Sequence, residues 1–256
     1  MARLIIGIQP VREAIRVHGS SIERVLLVRS SGGGSSKDSR AIDGIALAAQ
    51  ACGVEVRRVD RGELDKMARG GSHQGAIAIA EDLAVYSVSD LLASNPALVV
   101  VLDRITDPQN FGAIIRSAVA FEADWILWPE HDSAPLSPAT FRASAGAIEH
   151  ARLCKVTSLT SALQAMRAEG ISVIGLAGDA SVRINEIALG NPTAIVVGAE
   201  GSGLRKGVRN CCDQMARLPT SPPFGVLNAS VSAGIALYEV RRQHNAKFSM
   251  IQTLAE

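Results

Sequence analysis

Three short stretches hold residues able to do chemistry. Asp107-Pro-Gln-Asn-Phe-Gly-Ala-Ile-Ile-Arg-Ser117 places an amide, Asn110, six residues before a guanidinium, Arg116. Val196-Val-Gly-Ala-Glu-Gly-Ser-Gly-Leu204 sets a carboxylate, Glu200, among glycines, and Leu218 to Gly234 runs from a proline-rich loop into small residues behind Asn228. Amides, a guanidinium and a carboxylate can orient reactants, grip an anion and stabilise developing charge. Metal chemistry is not expected. Cys52, Cys154, Cys211 and Cys212 form no Cys-x-x-Cys, and His18, His73, His131, His150 and His244 are scattered. The cysteines read as ordinary reduced residues.

The elements around these stretches say where they must sit. Asp107 is a fit N-cap and Pro108 suits the first helical position, so a helix starts after the apolar strand 97–102. Carboxyl ends of strands are where open α/β sheets bind ligands. Asn110 then lies in the first turn. Arg116, six residues on at ~100° each, is about 120° around the axis, so spacing alone does not make the two converge. An arginine inside an otherwise small or apolar helix calls for an anion, either an internal carboxylate or a bound ligand. Glycines beside Glu200 let backbone approach a ligand closely. No Gly-Lys-Ser/Thr follows, which excludes a P-loop, and the Gly-x-Gly-x-x-Gly of dinucleotide sites is missing. Glu200 can pair with Arg116 or hold a ligand amine. Asn228 is a natural N-cap, and the small residues after it admit another helix, a partner subunit or a cofactor.

At 256 residues, 47% hydrophobic and 20% charged, the chain is globular and long enough for one large or two small domains. No apolar run nears the ~20 residues of a membrane helix, and the start has too short an apolar stretch for a signal peptide. A cytoplasmic protein is expected. Residues 1–80 read as a small α/β unit: helix 11–17, strand 25–28, helix 43–51, strands 54–59 and 75–80. Residues 81–96 read as a linker. In 97–256, strands 97–102, 125–128, 171–176 and 193–198 alternate with helices 111–121, 138–146, 158–168, 204–212 and 229–244. The strands are continuous apolar runs, which implies a mostly parallel sheet buried on both faces. Residues 1–80 carry 12 Lys and Arg against 8 Asp and Glu, whereas the whole chain is nearly neutral at +1. A mildly basic first third suits contact with nucleic acid or a plain solvated surface.

In this order and spacing the three stretches resemble the SpoU (TrmH) family of RNA ribose 2′-O-methyltransferases, within the SPOUT superfamily. The family's first motif matches Asn110 and Arg116, its second Gly198 to Gly203, its third Leu218-Pro219 and Leu227-Asn228 through Gly234. Residues 4–80, with Gly7, Pro10-Val11 and His73-Gln74-Gly75, look like the ribosomal-protein-like substrate-binding domain of bacterial members. The resemblance implies a trefoil-knotted α/β methyltransferase domain, a homodimer, RNA as substrate and S-adenosylmethionine as methyl donor, with no metal. Asn110, Arg116, Glu200 and Asn228 would be catalytic, Arg116 coming from the dimer partner in one version. Gly198, Glu200, Gly201, Leu218 and Leu227 would contact the cofactor. The two-domain layout is most similar to members that methylate a guanosine of large-subunit ribosomal RNA.

Val226 stands where the family commonly has serine, which removes a hydroxyl that Ser221 or Ser230 could replace. The glycine- and serine-rich stretch 30–36 suits either a loop closing on RNA or a tolerated insertion. Other readings are transfer RNA or another ribosomal site as substrate, and a non-catalytic RNA-binding relative. A nucleotide-dependent small-molecule enzyme would need a phosphate-binding glycine loop after the first strand of the sheet, and Asp107-Pro-Gln-Asn lacks one.

Overall fold

The computed structural model describes residues 2–29, 36–221, 225 and 227–255, so Val226 and most of the 30–36 stretch lie outside the described residues. The chain forms two compact units, Met1–Leu83 with Leu136–His150, and Ala84–Pro135 with Ala151–Glu256.

The first unit starts with β1 (Ala2–Ile6) and α1 (Ile8–His18). Pro10 is tolerated in that helix because N–H groups of a first turn have no intrahelical partner. β2 (Ile22–Val28), α2 (Ser36–Ala51), β3 (Glu55–Val59), α3 (Arg61–Ala68) and β4 (Ala76–Glu81) follow. The sheet order is β1-β4-β2-β3; β4 is antiparallel to both neighbours and β2 is parallel to β3. Alternation along β2 divides the core: Val25 and Leu27 pack with Val11, Ile15 and Ile45, while Leu26 packs with Leu64 and Ile77.

The second unit opens with β5 (Val85–Tyr86) and α4 (Val88–Ala93). These occupy the segment expected as a linker. Ser87 and Asp90 cap α4 reciprocally and Leu91 is fully buried. Elements this short leave no periodicity to read. β6 (Leu98–Asp103), α5 (Pro108–Ala120) and β7 (Trp125–Pro129) come next. The chain then enters the first unit for α6 (Pro138–Ala143) and a 3-10 turn, Ala147–His150. The helix expected over 138–146 stops early because Ala145 and Gly146 take positive φ, 51° and 88°.

β8 (Leu153–Val156), α7 (Leu159–Ala168), β9 (Ser172–Leu176), β10 (Val182–Arg183), β11 (Thr193–Gly198), α8 (Lys206–Cys211), β12 (Gln214–Arg217) and α9 (Ala229–Ala255) complete the second unit. Its sheet runs β10-β12-β9-β11-β6-β7-β8-β5, every adjacent pair parallel. All of β6 and β7 is buried, as continuous apolar strands covered on both faces require.

Candidate active site

The carboxyl ends of β6, β9, β11 and β12 converge on one region. β6 ends at Asp103, whose fully buried carboxylate accepts from the Arg205 backbone N–H at 2.8 Å and from its Nε at 2.7 Å. That anchors the far side of the glycine turn to the neighbouring strand. Within the turn, a Cβ on Gly198 would lie 2.4 Å from the carbonyl carbon of Gly203, so no side chain fits there. Gly201 and Gly203 have φ of 77° and 62°, the left-handed region glycine enters freely.

Asp107 caps α5 by accepting from the N–H groups of Gln109 at 3.0 Å and Asn110 at 3.3 Å. Asn110 thereby faces the turn, and its Nδ2 donates to Glu200 Oε1 at 2.9 Å. Asn228 does two jobs. Its Oδ1 caps α9 by accepting from the N–H of Ser230 at 2.9 Å, while its Nδ2 donates to Asn110 Oδ1 at 2.9 Å and to Glu200 Oε1. The Ala229 N–H reaches the same carboxylate oxygen at 3.2 Å. Three elements distant in sequence thus meet on Oε1, and Oε2 has no hydrogen-bond partner among the described residues. Bonds to a carboxylate are about twice as strong as neutral ones, so this junction is stiff. Ser230, one candidate to replace the missing serine hydroxyl, spends its own on Asn228 Oδ1.

Arg116 does not join them. It is exposed on α5, whose buried stripe is Phe111, Gly112, Ile114, Ile115 and Ala118, and it has no hydrogen bond or ion pair among the described residues. Of the two anions expected for Arg116, the internal carboxylate is absent among the described residues: Arg116 falls off the apolar stripe and faces outward. Nor does Glu200 pair with it.

Beside the junction lies a cavity of about 450 Å³, bounded by Leu176 to Asp179, the turn Gly198 to Leu204, Leu218, Thr220, Leu227, Ala229 and Ser232. Gly198, Glu200, Gly201, Leu218 and Leu227 all line it. Sequence reading missed the segment after β9, where Asp179 accepts from Arg209 Nη1 at 3.0 Å. That hydrogen bond holds the Asp179 carboxyl below its ordinary range. A Gly-Asp pair closing an apolar strand was the available signal. The small residues at the head of α9 serve three surfaces. Ala229 and Ser232 face the cavity, a Cβ on Gly234 would sit 3.5 Å from Ser117 of α5, and Val231, Ile235 and Tyr238 remain exposed. With Ala113, Ser117 and Phe121 these outer residues form a shallow apolar depression.

Burial raises the Cys212 thiol to about 12 and the Cys154 thiol to about 11, which keeps both protonated and unreactive at neutral pH. Among the described residues no cluster of three or more His, Cys, Asp or Glu is arranged to hold a metal ion. None of their helices is long and apolar enough to cross a membrane.

A wholly parallel α/β sheet, a backbone-lined cavity at its strand ends and an amide–carboxylate junction beside it define a ligand-binding enzyme domain joined to a smaller α/β unit. The model of the SpoU rRNA methylase family matches residues 97–238, and that of the RNA 2′-O ribose methyltransferase substrate-binding domain matches residues 4–86. The chain belongs to the SpoU rRNA methylase family. It is 38% identical over 201 residues to the 23S rRNA (guanosine-2′-O-)-methyltransferase RlmB of Vibrio parahaemolyticus, covering 77% of this chain and 81% of that one. It is 36% identical over 251 residues to an uncharacterised tRNA/rRNA methyltransferase of Mycolicibacterium vanbaalenii, covering 95% and 77%. Among solved structures, the SpoU methyltransferase AviRb of Streptomyces viridochromogenes in complex with S-adenosylmethionine matches with a TM-score of 0.77 at 24% identity, covering 96% of this chain and 91% of that one. An RNA 2′-O ribose methyltransferase matches with a TM-score of 0.75 at 25% identity, covering 95% and 89%.

Proposed function

We propose that this RNA methyltransferase transfers the methyl group of S-adenosylmethionine to the 2′-hydroxyl of one guanosine of large-subunit ribosomal RNA, in the cytoplasm. The observation that carries the reading is the junction of Asn110, Glu200 and Asn228 at the edge of the strand-end cavity. The cavity suits the cofactor: its volume lies within the ~300–1,000 Å³ of small-ligand sites, and Gly198, Gly201, Leu218 and Leu227 offer backbone and apolar contacts. Bound there, S-adenosylmethionine supplies a methyl group already carried on a good leaving group.

The protein's own residues position and polarise. Glu200 Oε2, which has no hydrogen-bond partner among the described residues, is placed to accept a hydrogen bond from a ligand amine or hydroxyl. Asn110 and Asn228 hold that carboxylate in one rotamer and restrict its movement. Arg116 grips a substrate phosphate and stabilises developing alkoxide charge, while the hydroxyl proton is released to water; guanidinium stays protonated far above neutral pH, which makes it an anion binder and not a base.

The same reading makes the enzyme a homodimer. Exposed Val231, Ile235 and Tyr238 on α9, beside Ala113, Ser117 and Phe121 on α5, give an apolar face to a second copy. Arg116 shares α5 with that face and has no hydrogen bond or ion pair to its own junction among the described residues, which favours its working in the partner's site. The sheet order is also read as the trefoil knot of the SPOUT superfamily.

The test uses purified protein, labelled S-adenosylmethionine, and ribosomal and transfer RNA transcripts. Label is expected in one large-subunit guanosine and is lost in Arg116→Ala. Label in transfer RNA would keep the chemistry and replace the substrate, an arm warranted by the mycobacterial relative's tRNA/rRNA designation. RNA binding without label would leave a non-catalytic relative, and Val226 would be the first residue to restore to serine.

A further inference from the structure

The first unit carries a second cavity that the reaction above does not use. It measures about 440 Å³ and sits where the parallel pair β2 and β3 ends and α2 and α3 begin, the usual place for a ligand on an α/β sheet. Val28 and Ile42 give it an apolar floor. A Cβ on Gly75 would come within 2.8 Å of both, so the floor is kept open by glycine. Arg29, Arg58 and Arg61 line it. Arg58 is fixed, donating to the Val28 carbonyl at 3.2 Å and to Asp43 at 2.7 Å. Arg61 has no hydrogen bond or ion pair among the described residues.

The wall opposite is pinned by its own hydrogen bonds. The Gly75 N–H donates to His73 Nδ1 at 2.9 Å, so the neutral ring carries its proton on Nε2 and donates it to Asp65 at 2.9 Å. The ring is 3% exposed. A loop pinned at both ring nitrogens of a buried histidine holds its shape in advance, which lowers the cost of binding.

Residues 1–83 contain no Phe, Tyr or Trp. Proteins that read RNA capture unstacked bases on aromatic rings or on guanidinium planes, and the lining of this cavity offers the second device and no Phe, Tyr or Trp. We propose that this cavity receives one unpaired nucleotide of the RNA substrate, with its base over Val28 and Ile42 between arginine planes and its phosphate on Arg61. The inference rests on the reading of the protein as an RNA methyltransferase whose first unit handles substrate.

The experiment measures binding of a large-subunit ribosomal RNA fragment to the full chain by fluorescence anisotropy across a salt series. Arg61→Glu removes the cation, and Ser72→Trp fills the cavity from an exposed position without changing charge. Each is expected to weaken binding about tenfold, and Arg61→Ala to lower the salt slope by about 1. Melting temperature and S-adenosylmethionine affinity by calorimetry stay at the wild-type values. Arg12→Glu, on α1 outside the cavity, makes the same charge change and is expected to cost less than about twofold. An equal loss in Arg12→Glu would replace the site with a diffuse basic field and overturn the assignment. Full binding by Ser72→Trp would also overturn it while leaving the RNA reading intact. A wild-type protein that bound no RNA would instead sink the functional reading itself.

Discussion

Both units place a cavity at the carboxyl ends of parallel strands, yet they build it from different materials. The cavity of the second unit is walled by a glycine turn, leucines and small residues, with the clamped Glu200 and the Asp179–Arg209 pair at its edge. That of the first is walled by arginines, aspartates and a pinned histidine, and its unit is tied by the buried pair Arg3 and Glu149. Where main chain crowds a wall, as Gly203 crowds Gly198, volume governs, because an added Cβ collides. A buried ion pair such as Arg3 and Glu149 is governed by pairing, because each ion depends on its partner. The two halves of the molecule should therefore fail for different reasons, and substitutions can separate them.

The largest effect is expected in the first unit. Arg3 bonds both oxygens of Glu149, at 2.8 and 2.6 Å, and His18 reaches Oε2 at 2.8 Å. Glu149→Ala strands a buried guanidinium and should cost about 3–5 kcal/mol, seen as early unfolding in a denaturant titration. A loss under about 1 kcal/mol would mean that this unit is not held by charge. Next comes Glu200→Gln, expected to lower methyl transfer about 10²–10³-fold with little change in melting temperature. A stability loss as large as the activity loss would reduce Glu200 to a structural clamp. Gly198→Ala should follow, at about 1–3 kcal/mol, with S-adenosylmethionine binding lost in calorimetry because the turn must move. Tolerance of alanine there would break the volume argument for the second unit.

The smallest effect concerns Asp179. The Arg209 hydrogen bond lowers its pKa below the ordinary 3.8, so the pair stabilises the fold above that value and the contribution disappears as pH falls through the folded-state pKa. Asp179→Asn should lower the melting temperature slightly at neutral pH, and the difference from wild type should vanish as pH falls below about 4. An unchanged acid profile would show that the pair does not persist in solution.

Legibility in the sequence followed length and locality. β6, β7, β9 and β11 are continuous apolar runs, and Asp107-Pro108 marks the start of α5 without ambiguity. β5, β8, β12 and α4 are too short for any period to show, which is why 81–96 looked like a linker. Arg116 shows a different limit. Its neighbours are apolar, but the buried positions follow a helical stripe that skips it, so composition misled where periodicity would have served. The meeting of Asn110, Glu200 and Asn228 was legible only through the family's motif order, because they lie 90 and 28 residues apart. Arg3 and Glu149, separated by 146 residues, left no local trace at all.

The excursion of Leu136–His150 into the first unit has a consequence for heredity. The chain passes between the units at three points, near residues 83, 135 and 150, and not at one. A gene fragment ending at residue 83 therefore does not encode a complete substrate-binding module, for the acid that Arg3 requires is written 146 residues downstream. Exchange of this module between relatives by a single recombination succeeds only where donor and recipient already agree at both sites. The two halves of such a protein are obliged to be inherited together.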